Sequence, residues 1–455
     1  MSANQSPARR DFLRTAAGAA TFFVLPSHML FGQDTPSEQF RFAKVGCGGM
    51  GGGDLNATIG AGGKLVAMCD VDDDRASGAY NKHPTIPRYK DYRAMLDRHQ
   101  HEIDGVVVST PDHTHACIAL DAIQRGKHVY VQKPLARTYD ECQVLLDAAK
   151  AHKVVTQMGN QGHAGSGLKR WKQMQDEGAF GDILEVNTWS NRPVWPQGMT
   201  ELAKGEKHPN TLHWDLWLGP AAKRDYAKAY LPFAWRGWWD FGAGAMGDMA
   251  CHNMDPVFWI FELGAPDKIK ATVSEAATVA YPKWSIVEFT FNKSPVTGKP
   301  IKMTWFDGPK RPEIPAGSHE ELETGDNGCM IVGSELSAMG ASHASPPRVI
   351  SLTGQEYGAH VKDAEKHWRE KGKPLQGTNH YGQWIEACKA NDPEMPGSKF
   401  DYSVPFTQAI LLGCLATRFP DVELEWDHEK NQFSNHDEAN QWLAFEAREG
   451  FSVTL

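Results

Sequence analysis

The sequence has no run of about 18 apolar residues, so it holds no segment able to span a bilayer as a helix. It has no basic block and no heptad repeat. Its net charge of −9 excludes nucleic acid as the main partner, because phosphate binding needs a basic face. The eight cysteines (Cys47, Cys69, Cys117, Cys142, Cys251, Cys329, Cys388 and Cys414) include no C-x-x-C pair. Most sit in apolar stretches and read as buried free thiols, with a disulfide between two of them left open. What is present is ordinary for a folded chain: 41% hydrophobic and 23% charged residues exclude wholesale disorder. At 455 residues the chain exceeds one ordinary core and suits two domains with appendages.

The segment from Phe42 to Asp70 carries the most specific pattern. Phe40 to Val45 alternates as a strand and feeds Gly46-Cys47-Gly48-Gly49-Met50-Gly51, a G-x-G-x-x-G turn. A helix-compatible stretch follows, then a strand, Lys64 to Cys69, that ends in Asp70. Gly46 allows the tight turn, Gly48 lets backbone amides approach a pyrophosphate, and Gly51 lets the helix pack close to the strand. The helix N-terminus favours the phosphate charge. Asp70 stands about 20 residues on, where it accepts hydrogen bonds from a ribose. Its charge, with Asp72, Asp73 and Asp74 behind it, repels a 2′-phosphate, so the expected cofactor is NAD and not NADP.

The βα rhythm continues. Gly105 to Ser109 reads as a buried parallel strand, His113 to Arg125 as a helix, His128 to Val131 as a strand, Tyr139 to His152 as a helix and Val154 to Met158 as a strand. Such alternation predicts an α/β fold: an N-terminal Rossmann domain over 40–160 with a doubly wound parallel sheet, ligands meeting the carboxyl ends of its strands. From about Gln161 strands are separated by hairpins and loops (Asp182 to Ser190, Lys268 to Ala277, Trp284 to Asn292, Pro300 to Phe306). An α+β domain with an open, mostly antiparallel sheet is expected over 161–420, and a C-terminal extension, 421–455, wrapping back onto the body. The exposed face of an open sheet invites pairing with a second copy, so a homo-oligomer is expected.

The N-terminus differs. Arg9-Arg10-Asp11-Phe12-Leu13-Arg14 precedes a short apolar stretch, Thr15 to Leu25, and resembles a twin-arginine export signal with Arg14 where lysine is more usual. The stretch is too short and too rich in Ala and Gly to anchor in a bilayer, so no stable membrane insertion is expected. The alternative is a frayed amphipathic N-terminus. No clean A-x-A site marks the cleavage point. Residues 1–35 are read as signal and linker, with a periplasmic or otherwise exported protein as the expectation. Twin-arginine export carries folded proteins, which fits a protein that takes up its nucleotide before it leaves the cytoplasm.

Four segments together resemble the Gfo/Idh/MocA family of oxidoreductases (glucose-fructose oxidoreductase and inositol dehydrogenase-like proteins). They are Gly46 to Gly51, Ser109-Thr110-Pro111-Asp112-His113-Thr114-His115, Gln132-Lys133-Pro134, and Gly242 to Asp255. They occur in the family's order, and the resemblance covers roughly Arg41 to Pro420. It implies that Lys133 is the lysine of the family's Glu-Lys-Pro motif and that Asp248 and His252 are its D-x-x-x-H pair. It implies also that Thr110, Pro111 and His115 line the nicotinamide half. One departure is plain: Gln132 stands where the family has a Glu that approaches the nicotinamide ribose, and a neutral amide can still hydrogen-bond there.

The residues support that implication chemically. Asp248 and His252 are i, i+4 and share a helix face, where a carboxylate raises the basicity of an imidazole. A lysine at a strand end polarises a hydroxyl or carbonyl oxygen. Alcohol oxidation needs both a base for the hydroxyl proton and a cation for the developing alkoxide, while hydride chemistry belongs to the cofactor. The other reading of Asp248 and His252 is a helix-capping and core pair. Asp255 offers a third ligand to a metal, but no second cluster supports one and none is expected. His99 and His101 read as solvated. Of 15 tryptophans, eight fall between Trp189 and Trp259, and Trp235, Trp238 and Trp239 directly precede the Asp248 segment. Trp239 is a candidate to stack on the apolar face of a sugar ring, with core packing as the competing explanation. Arg192 and Arg236 are candidates for a sugar acid or phosphate, or else form salt bridges.

The expected activity is therefore NAD(H)-dependent oxidation or reduction of a carbohydrate, sugar derivative or cyclic polyol by hydride transfer at a ring carbon. Two alternatives stand beside it. One is a redox-neutral enzyme with tightly held NAD, in which a keto intermediate permits glycoside cleavage, elimination or epimerisation. The other is a periplasmic ligand-binding protein that kept the fold and lost the chemistry.

Overall fold

A computed structural model describes residues 39–275, 277–371 and 375–455. The twin-arginine pattern at Arg9 and Arg10 lies outside the described residues.

In chain order the first part comprises β1 (Arg41–Val45), α1 (Met50–Gly60), β2 (Lys64–Cys69), α2 (Asp73–Lys82), β3 (Arg88–Tyr89), α3 (Tyr92–His99), β4 (Gly105–Val108), α4 (His115–Gln124), β5 (His128–Val131), α5 (Tyr139–His152) and β6 (Thr156–Met158). The strands form one parallel sheet in the order β3-β2-β1-β4-β5-β6. This is the doubly wound order in which the topology reverses beside β1, so a crevice opens at the carboxyl ends of β1 and β4. Sequence dictates these elements locally. In β4 the run Val106 to Val108 is wholly buried, as a strand covered on both faces requires. Thr138 and Glu141 close a capping box at the start of α5, satisfying amides that the helix leaves free.

The second part begins with α6 (Ser166–Asp176), β7 (Ile183–Ser190), α7 (Trp214–Leu218), α8 (Gly244–Asn253) and α9 (Asp255–Phe261). Then come β8 (Lys268–Val273), β9 (Ser285–Phe291), β10 (Ile301–Phe306), β11 (Asn327–Gly333), β12 (Leu336–Ala341) and β13 (Arg348–Leu352). The chain ends with α10 (Ala359–Glu370), α11 (His380–Ala390), α12 (Phe400–Ala416), β14 (Glu423–Asp427), β15 (Gln432–Phe433) and α13 (Asp437–Asn440). Nine strands form a second sheet, β13-β12-β11-β7-β10-β9-β8-β14-β15, antiparallel except where β7 meets β10. Its period of two is visible in β10, where Ile301, Met303 and Trp305 point into the core and Lys302, Thr304 and Phe306 point away.

Two largely buried helices sit between the layers. Every residue of α8 is buried, and α12 packs against both α8 and α5. The C-terminal extension joins the body: β14 adds to β8, and the carbonyl of Leu443 accepts from the amide of Asp140. The chain also crosses back. In α11, expected with the second sheet, Trp384 is fully buried against Phe40, just before the central strand β1 of the first.

All eight cysteines are buried and free. His101 is exposed as expected, but His99 is not solvated. It is buried between the Tyr89 hydroxyl at 2.9 Å and Glu102 at 3.0 Å, because the last turn of α3 leans onto the sheet. Among the described residues no helix is long and apolar enough to cross a membrane.

Candidate active site

A cleft of about 520 Å³ runs from the turn after β1, past the ends of β4 and β5, to α8. It is lined at one end by Gly46, Gly48, Gly49, Met50, Gly51 and Asp70, in the middle by Thr110, Pro111, Gln132 and Lys133, and at the other end by Asp248 and His252.

The glycine turn is built by close approach. Gly46 has φ +78°, and a Cβ there would lie 2.4 Å from the carbonyl oxygen of Ser109. A Cβ on Gly51 would lie 2.1 Å from the oxygen of Gly46, so α1 starts hard against the turn. Gly48 is required for a second reason besides the expected approach of phosphate: a Cβ would meet the Arg75 carbonyl oxygen at 2.6 Å. Gly49, the residue before α1, brings no capping side chain, and the Arg75 guanidinium lies beside it. Asp70 accepts from the amides of Cys47 at 2.7 Å and Asp72 at 3.0 Å. Burial pushes its carboxyl up while those amides hold it down. A cradle without Cβ atoms, a helix N-terminus and a carboxylate one strand away fit NAD.

At the middle of the cleft, Gln132 explains itself. Its Nε2 donates to both oxygens of Asp54 at 3.0 Å, and Asp54 is fully buried in α1. Asp54 accepts also from Ser109 Oγ at 2.5 Å and Tyr381 OH at 2.7 Å, and Ser109 accepts from the buried Lys44 Nζ at 2.5 Å. A glutamate at this position would set two carboxylates against each other.

His115 does not line the cleft, contrary to expectation. It is buried with Nδ1 2.9 Å from the oxygen of Pro134 and Nε2 2.8 Å from that of Thr110, and burial pushes it down to about 4. It braces the loops after β4 and β5 instead.

Lys133 Nζ donates to the Asp248 carbonyl at 2.7 Å and to its Oδ1 at 3.0 Å. Arg236 Nε donates to the same Oδ1 at 3.0 Å, and Arg192 Nε stands 3.9 Å from Oδ2. Burial works against the Asp248 carboxylate, but the Lys133 ammonium and Arg236 guanidinium outweigh it and hold the group well below the usual range. His252 lies one turn on, buried, with its ring stacked on His343 at 3.9 Å. Asp248 does raise the basicity of His252, as expected, but it is outweighed. Burial, then the charge of Lys133 and the His343 ring, push the imidazole well below its ordinary value, and Asp248 is committed to its cations. The ring is therefore neutral and faces the cleft.

Trp239 is also corrected. Its ring lies on Tyr281 at 3.7 Å and under Arg418 at 3.8 Å, lining a separate small cavity. The aromatics at the substrate end of the cleft are Trp217, Phe233 and Trp235. Asp255, considered as a metal ligand, is taken by His163 Nδ1 at 2.9 Å and Tyr402 OH at 2.5 Å. Two further residues line the cleft, Asp112 from within the Ser109 to His115 segment with no role expected of it and His343 with no sequence signal. Asp112, its carboxyl pushed up to about 7 by burial, caps the segment before α8 through the amide of Ala243, and His343 arrives from beyond β12.

Residues 40–160 match the sequence model of an oxidoreductase family with an NAD-binding Rossmann fold, and residues 165–297 match that family's C-terminal alpha/beta domain. Inositol 2-dehydrogenase of Salmonella typhimurium is 29% identical over 198 residues, 41% of this chain and 56% of that protein. Levoglucosan dehydrogenase of Pseudarthrobacter phenanthrenivorans is 28% identical over 184 residues, 40% of this chain and 39% of that protein. The chain thus spans about half the length of the curated relatives it matches. Among solved structures, the WlbA dehydrogenase of Bordetella pertussis, in complex with NADH and UDP-GlcNAcA, shares the fold. Its TM-score is 0.56 at 18% identity, over 86% of this chain and 99% of that one. With both domain matches falling on the two halves that frame the cleft, the chain belongs to the Gfo/Idh/MocA family of oxidoreductases.

Proposed function

We propose that this protein is an NAD-dependent oxidoreductase acting on a sugar, sugar derivative or cyclic polyol at a ring carbon. The observation that carries the reading is the meeting of Lys133, Asp248 and His252 in the same cleft as the glycine cradle. The relatives named as inositol and levoglucosan dehydrogenases support the substrate class.

When bound, NAD supplies the hydride acceptor or donor. The residues that would hold it are the turn Gly46 to Gly51, Asp70, Thr110, Pro111 and Gln132. Lys133 is fixed by two bonds to Asp248 and presents its charge toward the reacting oxygen, where it stabilises a developing alkoxide. Neutral His252 offers a ring nitrogen to the hydroxyl proton. Asp248 orients Lys133, and its pull on the imidazole is outweighed by burial and the Lys133 charge. Lys133→Met removes the cation, and turnover is expected to fall by about 10² to 10³ or more, as losing a preorganised electrostatic group costs about 3–4 kcal/mol, while NAD binding persists. Unaltered turnover in that variant would overturn the assignment.

We propose also that the protein works outside the cytoplasm by the twin-arginine route, supported by Arg9, Arg10 and the apolar stretch behind them. Fractionation of a variant with both arginines changed to lysine tests this, retention in the cytoplasm being expected. A homo-oligomer built through the second sheet completes the proposal, supported by the exposed Leu184 on β7. A monomeric mass by light scattering would remove that part.

A further inference from the structure

The far end of the cleft sets three cations against Asp248 and Asp112, and burial pushes the Asp112 carboxyl up to about 7. Lys133, Arg192 and Arg236 all line it. Asp248 accepts from Lys133 and Arg236 through the same oxygen, Oδ1. Arg236 spends only Nε there, and its guanidinium lies 4.2 Å from the Trp235 ring centre and 4.5 Å from that of Phe233. Its terminal nitrogens donate to no acceptor among the described residues.

Arg192 is less engaged still. Its Nε is 3.9 Å from Asp248 Oδ2, beyond hydrogen-bond reach, and is buried without a partner. Yet its backbone is pinned: the amide donates to Ser190 Oγ at 3.1 Å and the carbonyl accepts from Gly308 at 2.6 Å. The side chain is thus held at the rim of the site with its donors unspent. The other acid nearby, Asp112, gives an oxygen to the amide of Ala243. Three cations face Asp248 and the buried Asp112, whose burial disfavours its charged form, so they repel one another unless a ligand brings negative charge. A planar guanidinium with free terminal nitrogens is shaped for a carboxylate or phosphate.

We propose that the substrate carries an anionic substituent, a carboxylate or a phosphate, and that Arg192 and Arg236 receive it beside the carbon that reacts. This rests on the reading of the cleft as an NAD-dependent sugar or polyol site and narrows it to sugar acids or sugar phosphates. Lys133 remains with the reacting oxygen, and the two arginines fix which carbon is presented.

The test is calorimetric binding to the NAD-loaded full chain of three probes matched in ring: D-glucose, D-glucuronate and D-glucose 6-phosphate. At least one acid is expected to bind about tenfold or more tighter than glucose, the worth of a charge-assisted pair. Which acid it is separates the carboxylate from the phosphate. The preference should shrink as salt rises from about 50 to about 500 mM, where charges are screened. It should fall about tenfold in Arg192→Met and be largely kept in Arg192→Lys. The wild-type ratio and its salt dependence stand whether or not the Met variant folds. Equal or tighter binding of glucose, no binding of either acid, or an unchanged ratio in a folded Arg192→Met overturns the proposal. Binding is read apart from turnover. An acid preference without any change at the nicotinamide absorbance supports the inference and sinks the oxidoreductase reading. An absorbance change with glucose and no acid preference does the reverse.

Discussion

Gln132→Glu is expected to destabilise the protein strongly at pH 7 and weakly at pH 5. The amide nitrogen of Gln132 sits 3.0 Å from both oxygens of Asp54, which is fully buried. A second carboxylate at that separation would repel the first by about 5 kcal/mol even at an effective dielectric near 20. It would also forfeit a donor worth about 1–3 kcal/mol. The cheaper route is to bind a proton, so that the introduced carboxyl donates as the amide did. For a group of ordinary pKa near 4.3, that costs about 4 kcal/mol at pH 7. Protonation therefore wins and sets the penalty. Its sign follows from linkage. The folded variant holds one more proton than the unfolded chain above about pH 4.3, so its stability falls as pH rises, by about 1.4 kcal/mol per unit. The deficit relative to wild type should be about 4 kcal/mol at pH 7 and about 1 kcal/mol at pH 5. Urea unfolding of both proteins from pH 5 to 8 measures it. Adding Asp54→Asn returns a donor to the pair and should recover most of the loss at pH 7, a coupling that a double-mutant cycle isolates. A pH-independent deficit, or a double variant no better than the single, would refute the reasoning.

Gly51→Ala forces a methyl to 2.1 Å from the Gly46 oxygen. Overpacking of about 1–3 kcal/mol should shift α1 off the turn and weaken NAD binding at least about tenfold, read by calorimetry with circular dichroism confirming the fold. Asp70→Asn removes the charge opposing a 2′-phosphate, so the ratio of NAD to NADP affinity should fall about tenfold or more; an unchanged ratio would remove Asp70 from cofactor choice. His343→Ala unstacks the ring that lies 3.9 Å from His252 and admits water. Burial, Lys133 and His343 hold His252 low, so the acid limb of kcat/KM should lie below about pH 6.5 in the wild type and move upward in the variant. A limb that stays in place would mean that His252 is not the group titrating.

What is legible in the sequence is what depends on local spacing. The glycine turn, Asp70, Lys133 and the Asp248–His252 pair all act within one turn or strand end, and all line the cleft. What is illegible depends on which distant segment arrives at the same place. Asp248 and His252 share a helix face as i, i+4 demands, yet the partner of Asp248 is Lys133, 115 residues away, and that of His252 is His343. Spacing carries the pair and the sign of its interaction, but not the burial and the distant Lys133 and His343 that outweigh Asp248 and push His252 down. Trp239 fails for a similar reason. Three tryptophans in five residues cannot all face one way where the turn Ala234–Gly237 gives way to irregular chain, and only Trp235 among them reaches the cleft.

Gln132 is the case where the two kinds of information meet. Read alone it is a lost glutamate, and it counts against an intact site. Beside Asp54 it is one half of an exchange: the acid stands on α1 and the amide on the loop after β5, with one negative charge between them. Tyr381, on the helix that crosses back to the first sheet, and Ser109, bridged to Lys44, add donors to that same carboxylate. A buried acid so supplied, with the Lys44 ammonium behind Ser109, is satisfied within the first domain beside Gln132 and Lys133. The departure from the family's pattern therefore leaves Gln132 fully engaged beside Lys133, which weighs against a protein that kept the fold and lost the chemistry.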